Sequence, residues 1–175
     1  MTLFQGKYRR TSLRLSGWDY TQDGFYFVTV CTRKQGCFLG EIKDGLMRLS
    51  EIGNIIAEEW QKITEVRENV LLDQWVVMPN HVHGIIQINH SVGATRRVAP
   101  TPIGPVSGSI GAIIGQFKSI TTKRIKKIDD TINSIWQRNY YEHVIRDDFD
   151  LNRIREYINN NPVQWLHDEN NRERQ

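Results

Sequence analysis

Residues 75–86 read Trp-Val-Val-Met-Pro-Asn-His-Val-His-Gly-Ile-Ile, and the rest of the chain is organised around this stretch. Two runs rich in β-branched residues meet at Pro79-Asn80, which predicts two antiparallel strands joined by a tight turn. Successive side chains of a strand point to opposite faces, so His81 and His83 share one face and Val82 lies on the other. At a rise of about 3.3 Å per residue the imidazoles lie roughly 6–7 Å apart and can converge on one cation. The same spacing also occurs by chance on edge strands, so a metal site needs a third ligand and a reactive group elsewhere.

The bulk composition is that of one folded domain. The 175 residues, 39% hydrophobic and 25% charged, suffice for a single hydrophobic core. The net charge of +3 permits a nucleic-acid partner without requiring one. Cys31 and Cys37 give neither metal-site spacing nor a disulfide framework, which favours the reducing cytoplasm. No stretch resembles a signal peptide and no apolar run reaches the ~18 residues of a membrane span, so no membrane partner is expected.

The order of the predicted elements is that of an α+β protein, a ferredoxin-like βαββαβ fold with an antiparallel sheet. We expect its helices on one face of the sheet, with a further helix at the C-terminus. Strands are predicted over 24–32, 70–78, 81–88 and 135–145, and a short hairpin between 36 and 45. Helices are predicted from Ser50 to about Thr64, from Ser109 to about Ile128, and from Asp147 to Asn161.

Three segments of the single domain, 1–175, are expected to lie outside the packed core. The first is a basic N-terminal arm, residues 1–23, which is either solvated or contacts phosphates through its cations Arg9, Arg10 and Arg14. Residues 91–108 hold three of the five prolines and no acidic group, which predicts a flexible loop. Residues 166–175 are expected to form a frayed tail.

Five cations crowd the second half of the helix predicted from Ser109, with no acidic residue before Asp129. Such a run is often only a solvated helix face, and the alternative is a surface that binds DNA phosphates. The candidate DNA-binding residues of this helix are Lys118, Lys123, Arg124, Lys126 and Lys127.

The C-terminal helix carries a second candidate group of site residues. Tyr157 and Asn161 are four residues apart and therefore share a face, and Arg153, a further candidate DNA-binding residue, lies beside Tyr157. A tyrosine here is often a packing residue, but a phenol can also attack phosphorus when a cation neutralises the phosphate. Two imidazoles and the Asn161 amide oxygen leave positions open for a phosphate, which suits Mg²⁺ or Mn²⁺ better than a closed zinc site. His143 is expected to be a core histidine beside Trp136.

In combination these motifs resemble the single-tyrosine HUH transposases, and among them the REP-associated tyrosine transposases. The resemblance spans roughly residues 8–165. It rests on Met78-Pro79-Asn80-His81-Val82-His83-Gly84, on Trp136-Gln137-Arg138 with Glu142-His143-Val144-Ile145-Arg146, and on Tyr157-Ile158-Asn159-Asn160-Asn161-Pro162. Members of the family have a ferredoxin-like fold and use a divalent metal to cut and rejoin single-stranded DNA near hairpins. The loop at 91–108 departs from the compact members of the family.

The resemblance implies roles for individual residues. His81 and His83 correspond to metal ligands, Asn161 to the polar third ligand, and Tyr157 to the nucleophile that forms a 5′-phosphotyrosine bond. No general base for the phenol is evident, and the expectation is that metal-bound water or the charge of Arg153 lowers its pKa. The implied partner is single-stranded DNA with a REP-like hairpin, bound by a monomer, with a homodimer as the alternative.

Three other functions remain open from the sequence. A catalytically silent protein would bind structured DNA with the same fold and basic helix. A metal-dependent phosphodiesterase would use water in place of Tyr157 as the nucleophile. A purely structural domain with surface histidines would show no metal-dependent activity.

Overall fold

The computed structural model describes residues 17–90, 106–132 and 134–171. Arg9, Arg10 and Arg14, and residues 91–105 of the predicted loop, lie outside the described residues. The strands are β1 (Gly24–Cys31), β2 (Gly40–Lys43), β3 (Leu46–Leu49), β4 (Val70–Met78), β5 (His81–Ile88) and β6 (Tyr141–Ile145). The helices are α1 (Glu51–Gln61), α2 (Ile63–Val66), α3 (Ile110–Lys126) and α4 (Asp148–Asn160), with 3-10 turns at Arg33–Gln35 and Trp165–His167.

The main sheet has the strand order β4-β5-β1-β6, and each strand is antiparallel to its neighbours. Pro79-Asn80 joins β4 to β5, so the antiparallel pair predicted from the sequence is confirmed. Strands β2 and β3 form a separate hairpin. The strand order and the alternation with helices confirm the ferredoxin-like α+β fold.

Three polar side chains begin the long helices where the sequence predicts them. The Ser50 hydroxyl accepts a hydrogen bond from the Gly53 N–H, and Ser109 caps α3 in the same way. The Asp147 carboxylate accepts the Asp150 N–H at 2.8 Å. These side chains satisfy N–H groups that have no partner within the first helical turn.

The two faces of the sheet carry different helices. One face, with Tyr26 and Val28 of β1 and Val82 of β5, packs in the main core with α1 and α3. The opposite face, with Phe27 and Ile85, packs against the apolar side of α4. Because side chains alternate along β5, His81 and His83 lie on the α4 face. The fold thus places the C-terminal helix beside the two histidines.

The structure departs from the sequence prediction in the strand expected over 135–145. Only Tyr141–Ile145 pairs with β1, while Trp136 forms an isolated bridge to Thr32. The Trp136 indole N–H donates to the Thr121 hydroxyl of α3 at 2.8 Å. This buried contact holds residues 134–138 against α3, outside the continuous ladder. The first long helix is also shorter than expected, because it ends at Gln61 before the short helix α2.

Both terminal segments contain more packed structure than the sequence predicts. Tyr20, in the predicted arm, is buried in the main core. In the predicted frayed tail, Asp168 and Asn171 are only 7% and 6% exposed. The Asn171 amide donates to the Trp165 carbonyl at 3.0 Å, which closes the segment back on itself. Residues 172–175 lie outside the described residues. Within the described ranges, no helix is both long and apolar enough to cross a membrane.

Candidate active site

The two histidines of β5 meet side by side in the buried space beneath α4. Their ring centroids are 4.3 Å apart, closer than the roughly 6–7 Å spacing of alternate residues along a strand, and the rings lie at 70° to each other. His81 and His83 are 0% and 2% exposed. Burial lowers the pKa of His81 to about 4 and holds the pKa of His83 well below its ordinary value. Both rings are therefore neutral near pH 7, the state in which imidazole binds metals.

Hydrogen bonds from neighbouring residues orient both rings. Nδ1 of His81 lies 2.7 Å from Oδ1 of Asn80. The Asn80 amide nitrogen donates to the carbonyls of Gln35 and Asn170, so its oxygen is left to accept from the ring. Nδ1 of His81 therefore carries the proton, and the lone pair is on Nε2. Among the described residues, this buried Nε2 has no hydrogen-bond partner.

His83 is held between two hydroxyl groups. Its Nδ1 lies 2.9 Å from the Thr29 hydroxyl, and its Nε2 lies 3.2 Å from the Tyr157 hydroxyl. A hydroxyl can donate or accept, so both ring tautomers satisfy these contacts. In the tautomer that binds metal through Nε2, Nδ1–H donates to Thr29.

Asp168 provides a third potential metal ligand. Its carboxylate and the ring nitrogens of His81 and His83 offer ligand atoms that all lie within 4.8 Å of one another. One carboxylate oxygen accepts the Asn170 N–H at 2.6 Å, and the other accepts the Asn161 amide at 2.9 Å. Two imidazoles and a carboxylate, arranged in this way, match the donor set of a divalent transition metal such as Mn²⁺.

Asn161, the predicted third ligand, lies next to Asp168. It ends α4 and is 2% exposed. Its amide nitrogen is used by Asp168, while its Oδ1 is buried without a hydrogen-bond partner among the described residues. Leaving a buried polar atom unpaired costs about 1–3 kcal/mol. The unpaired Asn161 Oδ1 and His81 Nε2 therefore fit a site that binds a cation.

Tyr157 brings the phenol of α4 to the histidines. Its ring packs edge-on against Phe27 and His83, and 41% of the residue remains exposed. Burial is the main cause that raises the pKa of Tyr157 to about 12, and the negative charge of Asp168 adds to the rise. The nearby Asn161 side-chain amide acts in the opposite direction. A phenol is already neutral at pH 7 at its ordinary pKa, and these surroundings make Tyr157 harder still to ionise.

Two expectations about residues near this site are wrong. Arg153 does not lower the pKa of Tyr157, because its guanidinium bonds to Asp150 at 2.6 Å. His143 is not a core histidine beside Trp136. Its side chain is half-exposed on the α4 face of β6, and its Nε2 lies 2.6 Å from the other Asp150 oxygen. The contact from His143 attaches the first turn of α4 to β6, whereas the Arg153–Asp150 pair lies within α4 itself.

A bidentate ion pair attaches the middle of α4. Arg155 donates from Nε to one Asp73 oxygen at 2.8 Å and from Nη2 to the other at 2.5 Å. Because α4 carries Tyr157 two residues later, this pair positions the phenol relative to β4 and β5. Arg–carboxylate pairs of this geometry fix orientation as well as contributing energy.

The predicted cations of α3 lie apart from the histidines, because α3 covers the other face of the sheet. Lys118 donates to the carbonyls of Gln137 and Asn139, both at 3.0 Å. Arg124 bonds to two carboxylates of α1, those of Glu58 and Glu59. The remaining three side chains are exposed: Lys123, Lys126 and Lys127.

The structure thus brings together four residues predicted from the sequence: His81, His83, Tyr157 and Asn161. Asp168 is the site residue that the sequence analysis missed. The usable signal was Trp165, an aromatic residue three positions before Asp168, although all seven residues after Asp168 are polar. A segment with a buried aromatic anchor is held in place, so its acidic residue can face the interior.

Comparison with known proteins finds chains similar to this one in sequence and in structure. A protein of Haemophilus influenzae (strain ATCC 51907 / DSM 11121 / KW20 / Rd), described as an uncharacterized protein, is 38% identical over 170 residues, 94% of each chain. Among solved structures, a REP-associated tyrosine transposase bound to a REP hairpin has a TM-score of 0.59 at 22% identity. The match covers 91% of this chain and 73% of that one. No protein-family model matches the sequence.

Proposed function

The chain belongs to one family with the Haemophilus influenzae protein and has the fold of a REP-associated tyrosine transposase, and from this premise we propose that it is a transposase-type DNA nuclease. It cuts hairpin-containing single-stranded DNA, forms a 5′-phosphotyrosine bond and rejoins the strands. The observation that carries the proposal is the contact between the Tyr157 hydroxyl and His83 Nε2, at 3.2 Å, beside His81 and Asp168. The solved neighbour is bound to a REP hairpin, and we propose the same class of partner here.

The proposal includes a divalent cation, Mg²⁺ or Mn²⁺, at this cluster. His81, His83 and Asp168 would hold it, with Asn161 Oδ1 as a further oxygen ligand. When bound, the ion supplies Lewis-acid polarisation of the scissile phosphate. Asn80 and Thr29 support the site by orienting the two rings, the role that residues around metal ligands have in characterised sites.

Tyr157 supplies the nucleophile. Its oxygen bonds to phosphorus, the bond from phosphorus to the 3′-oxygen breaks, and that oxygen takes up a proton. The phenol proton passes to solvent, which reaches the exposed side of the ring. The phosphotyrosine preserves the energy of the broken bond, so a 3′-hydroxyl can later attack it and rejoin a strand.

The raised pKa of Tyr157 favours one competing function, a phosphodiesterase in which water attacks the phosphate. A neutral phenol is a weaker nucleophile than a phenolate, so a metal-activated water would compete with it. The two functions differ in their product, because only the tyrosine reaction leaves protein covalently bound to DNA.

The test uses labelled single-stranded hairpin oligonucleotides with Mn²⁺, denaturing gels and mass analysis of the adduct. Tyr141 provides a matched control, because it is 42% exposed and its ring also packs on Phe27. We expect an adduct on Tyr157 that disappears with chelator and in Tyr157→Phe but remains in Tyr141→Phe. Cleavage retained in Tyr157→Phe would support the phosphodiesterase. Binding with neither cleavage nor adduct would leave a catalytically silent DNA-binding protein.

A further inference from the structure

A basic groove lies between α3 and residues 134–138. Its cavity of about 480 Å³ is lined by four cations, Lys118, Lys123, Lys126 and Arg138, and by the hydroxyls of Ser119 and Thr122. No carboxylate is among the described residues that line it. Arg138 was not among the DNA-binding residues expected from the sequence.

Most of this positive charge has no carboxylate partner in the part of the chain that the structure describes. Within the described ranges, Lys123, Lys126 and Arg138 form no ion pair, and α3 contains no acidic residue. The next cation along α3, Arg124, has two carboxylate partners on α1. Lys123 and Lys126 lie in the last turn of α3, where positive charges interact favourably with the helix dipole, while their mutual repulsion one turn apart opposes that gain. A groove of this kind attracts an anion.

Lys118 joins the two sides of the groove. Its ammonium group donates to the carbonyls of Gln137 and Asn139 and lies 5.5 Å from the centre of the Tyr140 ring. These contacts hold residues 137–139 against α3 and place Arg138 at the opening. Burial lowers the pKa of Lys118 to about 8, and an anion in the groove would oppose that shift.

The shape of the basic row fits an extended chain of phosphates. Ser119, Thr122, Lys123 and Lys126 follow the spacing of one helix face and span about 10 Å along α3. Side-chain hydroxyls and lysines are common partners of phosphate oxygens, and these contacts do not depend on base sequence. A row of this length accommodates consecutive phosphates of one strand.

The groove is connected to the histidine site through β1. The Gln137 N–H donates to the Cys31 carbonyl at 2.9 Å, and its side-chain amide donates to the Thr32 carbonyl at 3.1 Å. Cys31 is the register partner of His81 in the sheet. Gln137, which lines the groove, is therefore bonded to the β1 residue that pairs with His81. The groove and the histidine site lie at the same end of the sheet.

We propose that this groove binds the sugar–phosphate backbone of the single-stranded DNA whose scissile phosphate lies at the histidine site. The identity of the bound strand as the substrate DNA rests on the proposed function. The contact itself rests on the groove cations, which have no carboxylate partner among the described residues. Lys123, Lys126 and Arg138 contact phosphates, while Lys118 is a positioning residue that holds Arg138 in place.

The test compares two double variants of the full chain that remove the same charge. Lys123→Gln/Lys126→Gln empties the groove of two cations, and Lys43→Gln/Arg48→Gln removes two exposed cations from the β2–β3 hairpin. Binding of a single-stranded oligonucleotide is measured against salt concentration with chelator present, so that no cutting occurs. Two lost phosphate contacts reduce the salt slope by about 1.4 and the affinity on the order of tenfold at 0.15 M salt. The Lys43→Gln/Arg48→Gln variant should keep the salt slope of the unmodified chain.

The positioning role of Lys118 has its own readout. Lys118→Met keeps the aliphatic stem but removes the donors to the two carbonyls, so combining it with Arg138→Gln should cost no more affinity than Lys118→Met alone. Additive losses would overturn the positioning role. Circular dichroism spectra matching those of the unmodified chain show that the variants are folded.

Three results separate this inference from the proposed function. Equal salt slopes for the Lys123→Gln/Lys126→Gln and Lys43→Gln/Arg48→Gln variants, with a normal Tyr157 adduct, would overturn DNA binding by the groove. The proposed function would then still stand. A reduced slope for the groove variant without any adduct on Tyr157 would support the groove and contradict the function. No measurable binding by the unmodified chain would overturn the groove as well.

Discussion

Gly84, which directly follows the two histidines, has no room for a side chain. A Cβ at this position would lie 2.3 Å from Cζ2 and 3.0 Å from Cε2 of Trp60. Carbon atoms in good contact are about 3.5–4.0 Å apart, so Gly84→Ala forces a displacement of more than about 1 Å. Trp60 is fully buried and packs edge-on against Phe117 at 5.1 Å, so its ring cannot move away freely.

The expected loss of stability follows from this confinement. Overpacking a core costs about 1–3 kcal/mol. We expect about 3 kcal/mol for Gly84→Ala, because Trp60 is rigid and β5 is hydrogen-bonded to strands on both sides. In a domain of this size each kcal/mol shifts the midpoint by about 2–4 °C, so Tm should fall by about 6–12 °C.

Urea and thermal unfolding followed by circular dichroism measure this loss, and Gly115→Ala is the matched control. A Cβ at Gly115 meets nothing within 4 Å, and the residue lies in α3. Alanine there should stabilise the protein by up to about 1 kcal/mol, because glycine is the poorer helix former. A free energy of unfolding for Gly84→Ala within about 0.5 kcal/mol of the unmodified chain would refute the overpacking argument.

Three further predictions concern the site and the helix that carries the tyrosine. Asp168→Asn keeps the shape of the side chain and removes its charge, so Mn²⁺ affinity measured by titration calorimetry should fall at least about tenfold; unchanged affinity would exclude Asp168 as a ligand. Asn80→Ala removes the acceptor of His81 Nδ1–H and should weaken Mn²⁺ binding about 10–100-fold, whereas a normal titration would show that the ring needs no such support. The bonds from Arg155 hold the pKa of Asp73 below its ordinary value of 3.8, so the pair stabilises the fold above that pH and the contribution is lost as pH falls through the lowered pKa. Asp73→Asn should therefore cost about 1 kcal/mol at pH 7, in urea unfolding, and less near pH 3; a difference independent of pH would contradict the ion-pair explanation.

The fold was predictable because its signals are local. The alternation around His81 and His83, the caps Ser50, Ser109 and Asp147, and the turn at Pro79-Asn80 each act within a few residues. Such patterns determine which face of a strand is buried and where a helix begins. The sequence also indicated that the two histidines share the face of the sheet opposite Val82, because that follows from alternation alone.

The missed features depend on contacts between distant segments. Asp168 reaches the histidines only because residues after α4 fold back, with Asn170 bonded to Asn80 across 90 positions of sequence. Arg124 differs from Lys123 beside it because α1 supplies its carboxylates. The pKa of Tyr157 is likewise raised by burial of the phenol against the sheet and by the charge of Asp168. No periodic pattern in the sequence indicates these long-range contacts.

The contact between Tyr157 and His83 lies within one chain, and this has a kinetic consequence. Each molecule carries its own nucleophile and its own histidine pair, 3.2 Å apart. If the reaction uses this arrangement, the rate of adduct formation rises in proportion to the protein concentration, with no second-order dependence. Mixing Tyr157→Phe chains with His81→Ala chains would then restore no adduct, because neither chain could complete the other.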